Sequence, residues 1–185
     1  MKAHLAHIPK GKRIEIWFQD EARIGQQGTL TRVWAKRGTR PRAPRDRRYE
    51  WAYLFGAVCP SRRATAALVM PAADTEATSK HLAEIAREVA SGAHAVLVLD
   101  GAGYHVARNL VIPANISLLR LPRYAPELNP VENIWAYLRG NKLSNTVFDS
   151  YDHIVQVACN AWRFFADDPE RIASITSRPW AQVNT

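Results

Sequence analysis

Residues 95–99 read Ala-Val-Leu-Val-Leu, an unbroken apolar run of strand length that Asp100-Gly101-Ala102-Gly103 closes. A strand apolar at every position, rather than at every second one, has no face to give to water, so it must be covered on both sides, as strands of parallel sheets are. Residues 116–121 repeat the pattern and stop at Pro122. Covering both faces of such strands calls for helices above and below one sheet.

The rest of the chain supplies those parts. Residues 12–21 alternate, with Ile14, Ile16, Phe18 and Asp20 pointing one way and Glu15, Trp17, Gln19 and Glu21 the other, which predicts a first strand. Residues 31–35 are expected to add a short strand. Residues 51–59 and 62–70, separated at Pro60, suit a hairpin. Asp74 is a candidate N-cap for a helix with Leu82, Ile85, Ala86 and Val89 on one side and Gly92 at its stop. Further helices are expected over 130–141 and over 151–165, the latter with Ile154, Ala158, Ala161, Trp162 and Phe165 along one side. Three hairpin-compatible strands, a helix and two more strands with helices predict a mixed five-stranded α/β sheet with helices on both faces.

Charge narrows the partners. The chain carries 25 Lys and Arg against 17 Asp and Glu, a net +8 over 185 residues, which favours a polyanion such as nucleic acid. Residues 36–48 concentrate it: Lys36, Arg37, Arg40, Arg42, Arg45, Arg47 and Arg48 stand with one acid, Asp46, and with Pro41 and Pro44 to break regular structure. Such a loop can lie along phosphates, adding salt-sensitive affinity without reading sequence; a plain solvated charge run has the same composition. No apolar run approaches the roughly 20 residues of a membrane span, and residues 1–7 hold no signal-peptide core, so a cytoplasmic protein is expected. Cys59 and Cys159 stand far apart with no paired ligands nearby, which disfavours a zinc site or a disulfide framework.

Three carboxylates fall at the ends of elements. Asp20 shares a strand face with Ile14, Ile16 and Phe18, where desolvation is costly unless a cation compensates, although the strand could also end just before it. Asp100 ends the most apolar strand, on the side of a parallel sheet where ligands collect, but Asp-Gly is also an ordinary turn. Glu132 lies in Asn129-Pro130-Val131-Glu132, where Asn129 can cap a helix and Glu132 can complete a capping box.

Trp17 to Glu21, the Leu97-Val98-Leu99-Asp100-Gly101-Ala102-Gly103-Tyr104-His105 segment, and the Tyr124-Ala125-Pro126-Glu127-Leu128-Asn129-Pro130-Val131-Glu132-Asn133-Ile134-Trp135 block together resemble the three signature blocks of DDE transposases. The likeness is greatest to the bacterial insertion-sequence branch (the IS six-thirty group) of the Tc/mariner superfamily. The spacing from Asp100 to Glu132, 132 − 100 = 32, is similar to that family's short separation. The resemblance implies a ribonuclease-H-like fold and a metal-dependent enzyme that cleaves DNA and transfers strands in cut-and-paste transposition. It implies that Asp20, Asp100 and Glu132 bind two Mg²⁺ ions, with Mn²⁺ as substitute. It implies as partners transposon ends and target DNA, with dimeric action, in a bacterial, nucleoid-associated setting.

His105 is a candidate for contact with the scissile phosphate, or is simply a surface histidine; Glu21 and Glu127 are expected to support the site or to be exposed. Trp135 and Leu138 are expected to pack their helix on the core. Residues 1–185 are expected to form a single catalytic domain, since the first strand begins too soon for the family's N-terminal helix-turn-helix DNA-binding region. The chain would then be the second reading frame of a split element, with a partner frame for end recognition, or a truncated relic, or an isolated domain. The rival readings are a catalytically silent DNA-binding or dimerisation remnant, and a ribonuclease-H-like nuclease.

Overall fold

A computed structural model describes residues 11–26, 34–40, 42, 48–105, 107–122 and 125–177. Among these, five strands form one sheet in the order β3-β2-β1-β4-β5: β1 is Ile14–Gly25, β2 Trp51–Cys59, β3 Ala64–Met70, β4 His94–Leu99 and β5 Ile116–Arg120. The three sequence-adjacent strands pair antiparallel, and β1–β4 and β4–β5 pair parallel. The sheet is therefore mixed, as the residue pattern predicts.

Both faces are covered. Helix α1 (Thr75–Glu88) lays Leu82 and Ile85 over Trp17, Ala57, Leu97 and Leu99. On the opposite face α2 (Val131–Leu138), α3 (Tyr151–Ala166) and α4 (Pro169–Thr176) meet Phe18, Ala22, Leu54 and Val98 through Ile134, Leu138, Ile154, Trp162, Phe165 and Ile172. Each of the fully buried large side chains in this second layer contributes roughly 1.5–3 kcal/mol relative to exposure. Side-chain caps begin three helices: Asp74 accepts from Ala77 N at 2.8 Å, Ser150 from His153 N at 3.2 Å and Asp168 from Arg171 N at 3.0 Å.

Several boundaries differ from the sequence expectations. Strand β1 runs on to Gly25 because Ala22 and Ile24 continue the buried alternation and pair with Leu54 and Ala52. Trp34 and Ala35 are not in a strand, and the rest of the expected 31–35 strand lies outside the described residues. Helix α2 ends at Leu138, and Arg139–Leu143 follow in a wider π turn where Gly140 and Asn141 are weak helix formers. Helix α4 has no counterpart among the sequence expectations, although Asp168-Pro169 is a cap followed by a first-turn proline. Among the described residues no helix is long and apolar enough to cross a membrane.

Candidate active site

The parallel pairing of β1 with β4 brings two acids level. Phe18 registers with Val98, and two residues further along each strand stand Asp20 and Asp100, where β4 ends and the strands part. Asp20 lies on the face covered by α2, and its Oδ2 accepts the indole N–H of Trp135 at 2.7 Å. Glu132, in the first turn of α2, reaches the same place. Asp20, Asp100 and Glu132, with Gly101, Leu121, Pro122, Pro126 and Asn129, line one cleft of about 450 Å³.

Asn129 holds α2 against the strand. Its side-chain amide donates to the carbonyl of Gln19 at 2.9 Å, and its Oδ1 accepts the Val131 N–H at 3.2 Å. The capping box expected from the sequence does not close, since the Asn129 N–H donates to the Pro126 carbonyl at 2.8 Å instead. Asn129 still caps the helix, and Glu132 remains exposed at the cleft rim.

Glu21, the residue after Asp20, turns to the opposite face of β1 and anchors the segment after β4. Its carboxylate accepts from the Tyr104 hydroxyl and, at 3.1 Å, from the Gln19 side chain. His105 stands between two acids, its Nδ1 2.9 Å from Asp100 Oδ1 and its Nε2 3.7 Å from Glu21 Oε2. Three successive residues of β1 thus hold the cleft together, Gln19 and Asp20 from the side of α2 and Glu21 from the segment after β4.

Electrostatics match this burial. Burial pushes the Asp20 carboxyl from 3.8 up to about 7, with the charges of Glu21 and Glu132 acting in the same direction and the Trp135 N–H opposing them. Burial and the bonded Glu21 carboxylate also raise the Tyr104 hydroxyl above its ordinary value, which keeps it a donor. Among the described residues no group of three or more His, Cys, Asp or Glu side chains is gathered tightly enough to form a ready cation site. The donor chemistry nevertheless fits a hard divalent cation: the acids present only carboxylate oxygens, and the charges around the partly buried Asp20 carboxyl are themselves negative, so a cation there would favour its ionised form.

The basic residues divide. Lys36, Arg37, Arg40 and Arg42 are exposed. Arg48 is instead a tether: its guanidinium donates to the carbonyls of Phe148 and Asp149. Arg45 and Arg47 lie outside the described residues. His105 is 1% exposed, so it is not the surface histidine of the alternative reading; its ring faces Asp100 and Glu21. Glu127 is exposed. Sequence reasoning sees Trp135 only as a packing residue and gives Gln19 and Tyr104 no role; side-chain bonds across the sheet carry no local periodic signal.

A family model described as DDE superfamily endonuclease matches residues 15–155. A protein of Sinorhizobium fredii, "Uncharacterized protein y4pE/y4sA", is 56% identical over 131 residues, which are 71% of this chain and 97% of that protein. Among solved structures, the Mos1 mariner paired end complex with Mn aligns with a TM-score of 0.65 at 19% identity, over 88% of this chain and 51% of that one. The Mos1 transposase paired-end complex with left transposon end aligns at 0.64 and 20% identity, over the same shares. These matches show the shared fold, and the chain spans about half the length of those solved chains.

Proposed function

The chain belongs to the DDE superfamily endonuclease family, and from that premise we propose that it is the catalytic domain of a DNA transposase, with Asp20, Asp100 and Glu132 as its metal ligands and catalytic acids. The observation that carries this reading is the convergence of those acids on one cleft at the ends of two parallel strands and the start of α2. The match to Mos1 complexes with Mn and with Mg, and to complexes holding a transposon end, supports a divalent cation and DNA as the partners. We extend the reading to two Mg²⁺ ions, replaceable by Mn²⁺, and to transposon ends and target DNA, with end recognition supplied outside this domain.

Asp20, Asp100 and Glu132 would hold the ions, which when bound supply Lewis acidity at a phosphodiester and activation of its nucleophile. The protein's own part is placement. Asp20 is fixed from one side by Trp135, and Asn129 sets the start of α2, and so Glu132, against the strand carrying Asp20. The exposed Lys36, Arg37, Arg40 and Arg42 hold DNA through its phosphates without reading its sequence.

The test is nicking of supercoiled plasmid at low salt with Mg²⁺ or Mn²⁺. Wild type should nick only with the ion, and Glu132→Gln should lose nicking by a factor of about 100 or more while keeping its fold and low-salt DNA binding. Loss of the fold in Glu132→Gln would instead assign that residue a structural role. A folded wild type that binds DNA and never nicks would favour the silent remnant. Detection of joined strands in the products would separate a transposase from a simple nuclease.

A further inference from the structure

We infer that His105, backed by Glu21, is a positioning residue that fixes the carboxylate of Asp100 before any cation arrives; the inference rests on Asp100 being a cation ligand. Asp100 needs such a partner. Its side chain is 54% exposed, and the segment that follows it is built from small residues, with open space around both Gly101 and Gly103. Among the described residues the hydrogen bond to its carboxylate comes from the Ala102 N–H on Oδ1 at 3.0 Å, within its own turn. A carboxylate held only within its own turn would have to be ordered by the ion, at a cost in affinity.

His105 supplies a contact from outside that turn. The ring is buried, and its Nδ1 lies 2.9 Å from Asp100 Oδ1 and 3.3 Å from the Asp100 carbonyl. A backbone carbonyl only accepts, so the Nδ1 bonded to it carries the hydrogen. Both approaches fall on Oδ1: the Ala102 N–H bonds it, and His105 Nδ1 stands 2.9 Å from it.

The ring is backed through Tyr104 rather than by a bond to Nε2. Among the described residues Nε2 is buried without a hydrogen-bond partner, and Glu21 Oε2 stands 3.7 Å from it. Glu21 in turn takes the Tyr104 hydroxyl on Oε1 and the Gln19 amide on Oε2. The Tyr104 ring meets the His105 ring edge-on, with centroids 4.6 Å apart and planes at 78°. Because Glu21 belongs to the strand that carries Asp20, the chain of contacts Glu21–Tyr104–His105–Asp100 keys the second acid to the first. Outer partners of this kind orient ligand side chains and typically account for about 10–100-fold in metal affinity.

A purely structural role is the competing account, since the His105 N–H also closes the turn onto the Ala102 carbonyl at 3.0 Å. Calorimetric titration of the full chain with Mn²⁺, together with melting temperatures, separates the two. His105→Leu should weaken Mn²⁺ binding about 10–100-fold, whereas His105→Asn, whose amide N–H stands near the place of Nδ1–H, should recover most of that loss. Glu21→Gln should fall between them. Nitrogen-15 NMR of the metal-free wild type should find Nδ1 of His105 protonated. The inference is overturned if all three variants bind Mn²⁺ within about 3-fold of wild type and differ only in melting temperature, or if the proton resides on Nε2 alone. Should His105→Leu fail to fold, His105→Asn and Glu21→Gln decide the question by the same criteria. Wild type that neither binds Mn²⁺ nor nicks DNA removes the reading of Asp100 as a ligand, and the inference with it; wild type that does both, beside unaffected variants, removes the inference alone.

Discussion

His81 sits on the buried side of α1, 1% exposed, with its ring 5.5 Å from that of Phe55 and its Nε2 without a hydrogen-bond partner among the described residues. Burial pushes its pKa from 6.5 down to about 4; the Ala66 carbonyl opposes the shift and the nearby His105 adds to it. The folded chain therefore holds His81 neutral. With the folded pKa below the unfolded one, the contribution to stability is fully present above pH 6.5 and is lost as pH falls towards 4. Urea unfolding at pH 7 and pH 5 should show about 2 kcal/mol of difference from this residue. His81→Gln should flatten that part of the profile, and an unchanged profile would mean that the ring is already solvated. Asn129 makes a related point about legibility. Its place before a helix marks it as a cap, but its second bond, to Gln19 across 110 positions of chain, depends on where the sheet brings β1.

Strand β2 contributes to the site by leaving room. Gly56 registers opposite Asp20 on β1, and a Cβ there would stand 2.6 Å from the Trp162 ring and 2.7 Å from the Trp135 ring. Both tryptophans are buried, with centroids 6.0 Å apart, so neither can move aside freely. The missing side chain is what lets Trp135 come down to bond Asp20. Gly56→Ala should therefore destabilise the fold by about 1–3 kcal/mol through overpacking, and should also reduce ion-dependent nicking by displacing the indole from Asp20. Gly140→Ala is the control, since a Cβ there meets nothing within 4 Å. Equal melting temperatures for the two variants would show that the strand tolerates the methyl group. In the sequence Gly56 reads as one small residue inside a buried strand; its importance comes from two helices that cross it.

Across the molecule, charge and chemistry occupy different places. The acids gather at the strand ends, while Lys36, Arg37, Arg40 and Arg42 are exposed on the insertion between β1 and β2, beside a fully exposed Trp34. Replacing those four cations with glutamine should weaken DNA binding and lower the salt slope by about 0.9 for each phosphate no longer neutralised, hence by up to about 3–4 in all. Melting temperature should scarcely change, because none of the four side chains is buried. A salt slope equal to wild type would place the DNA on another surface. Arg48 is left out of the set because its tether to Phe148 and Asp149 ties the insertion to the approach of α3.

The fold was legible because hydrophobic periodicity is local. The continuous run in β4, the alternation in β1 and the helical spacing in α1 and α3 each state how many faces must be buried, and few sheet arrangements satisfy all of them. The three acids proposed as ligands stand out in the sequence for the same kind of reason, as each lies in a contiguous block that resembles a known signature. What supports those acids was legible only in part: Asn129 reads as a cap and Glu21 as a supporting acid, but the groups they meet do not show. Trp135 on Asp20, Asn129 on Gln19, and Glu21 with His105 behind Asp100 are contacts across 115, 110, 84 and 5 positions. Register and helix crossing decide which polar groups meet, and once buried they must find partners, because an unpaired one costs about 1–3 kcal/mol. Side-chain pairing of that kind follows from the packed sheet and helices, which no stretch of sequence encodes alone.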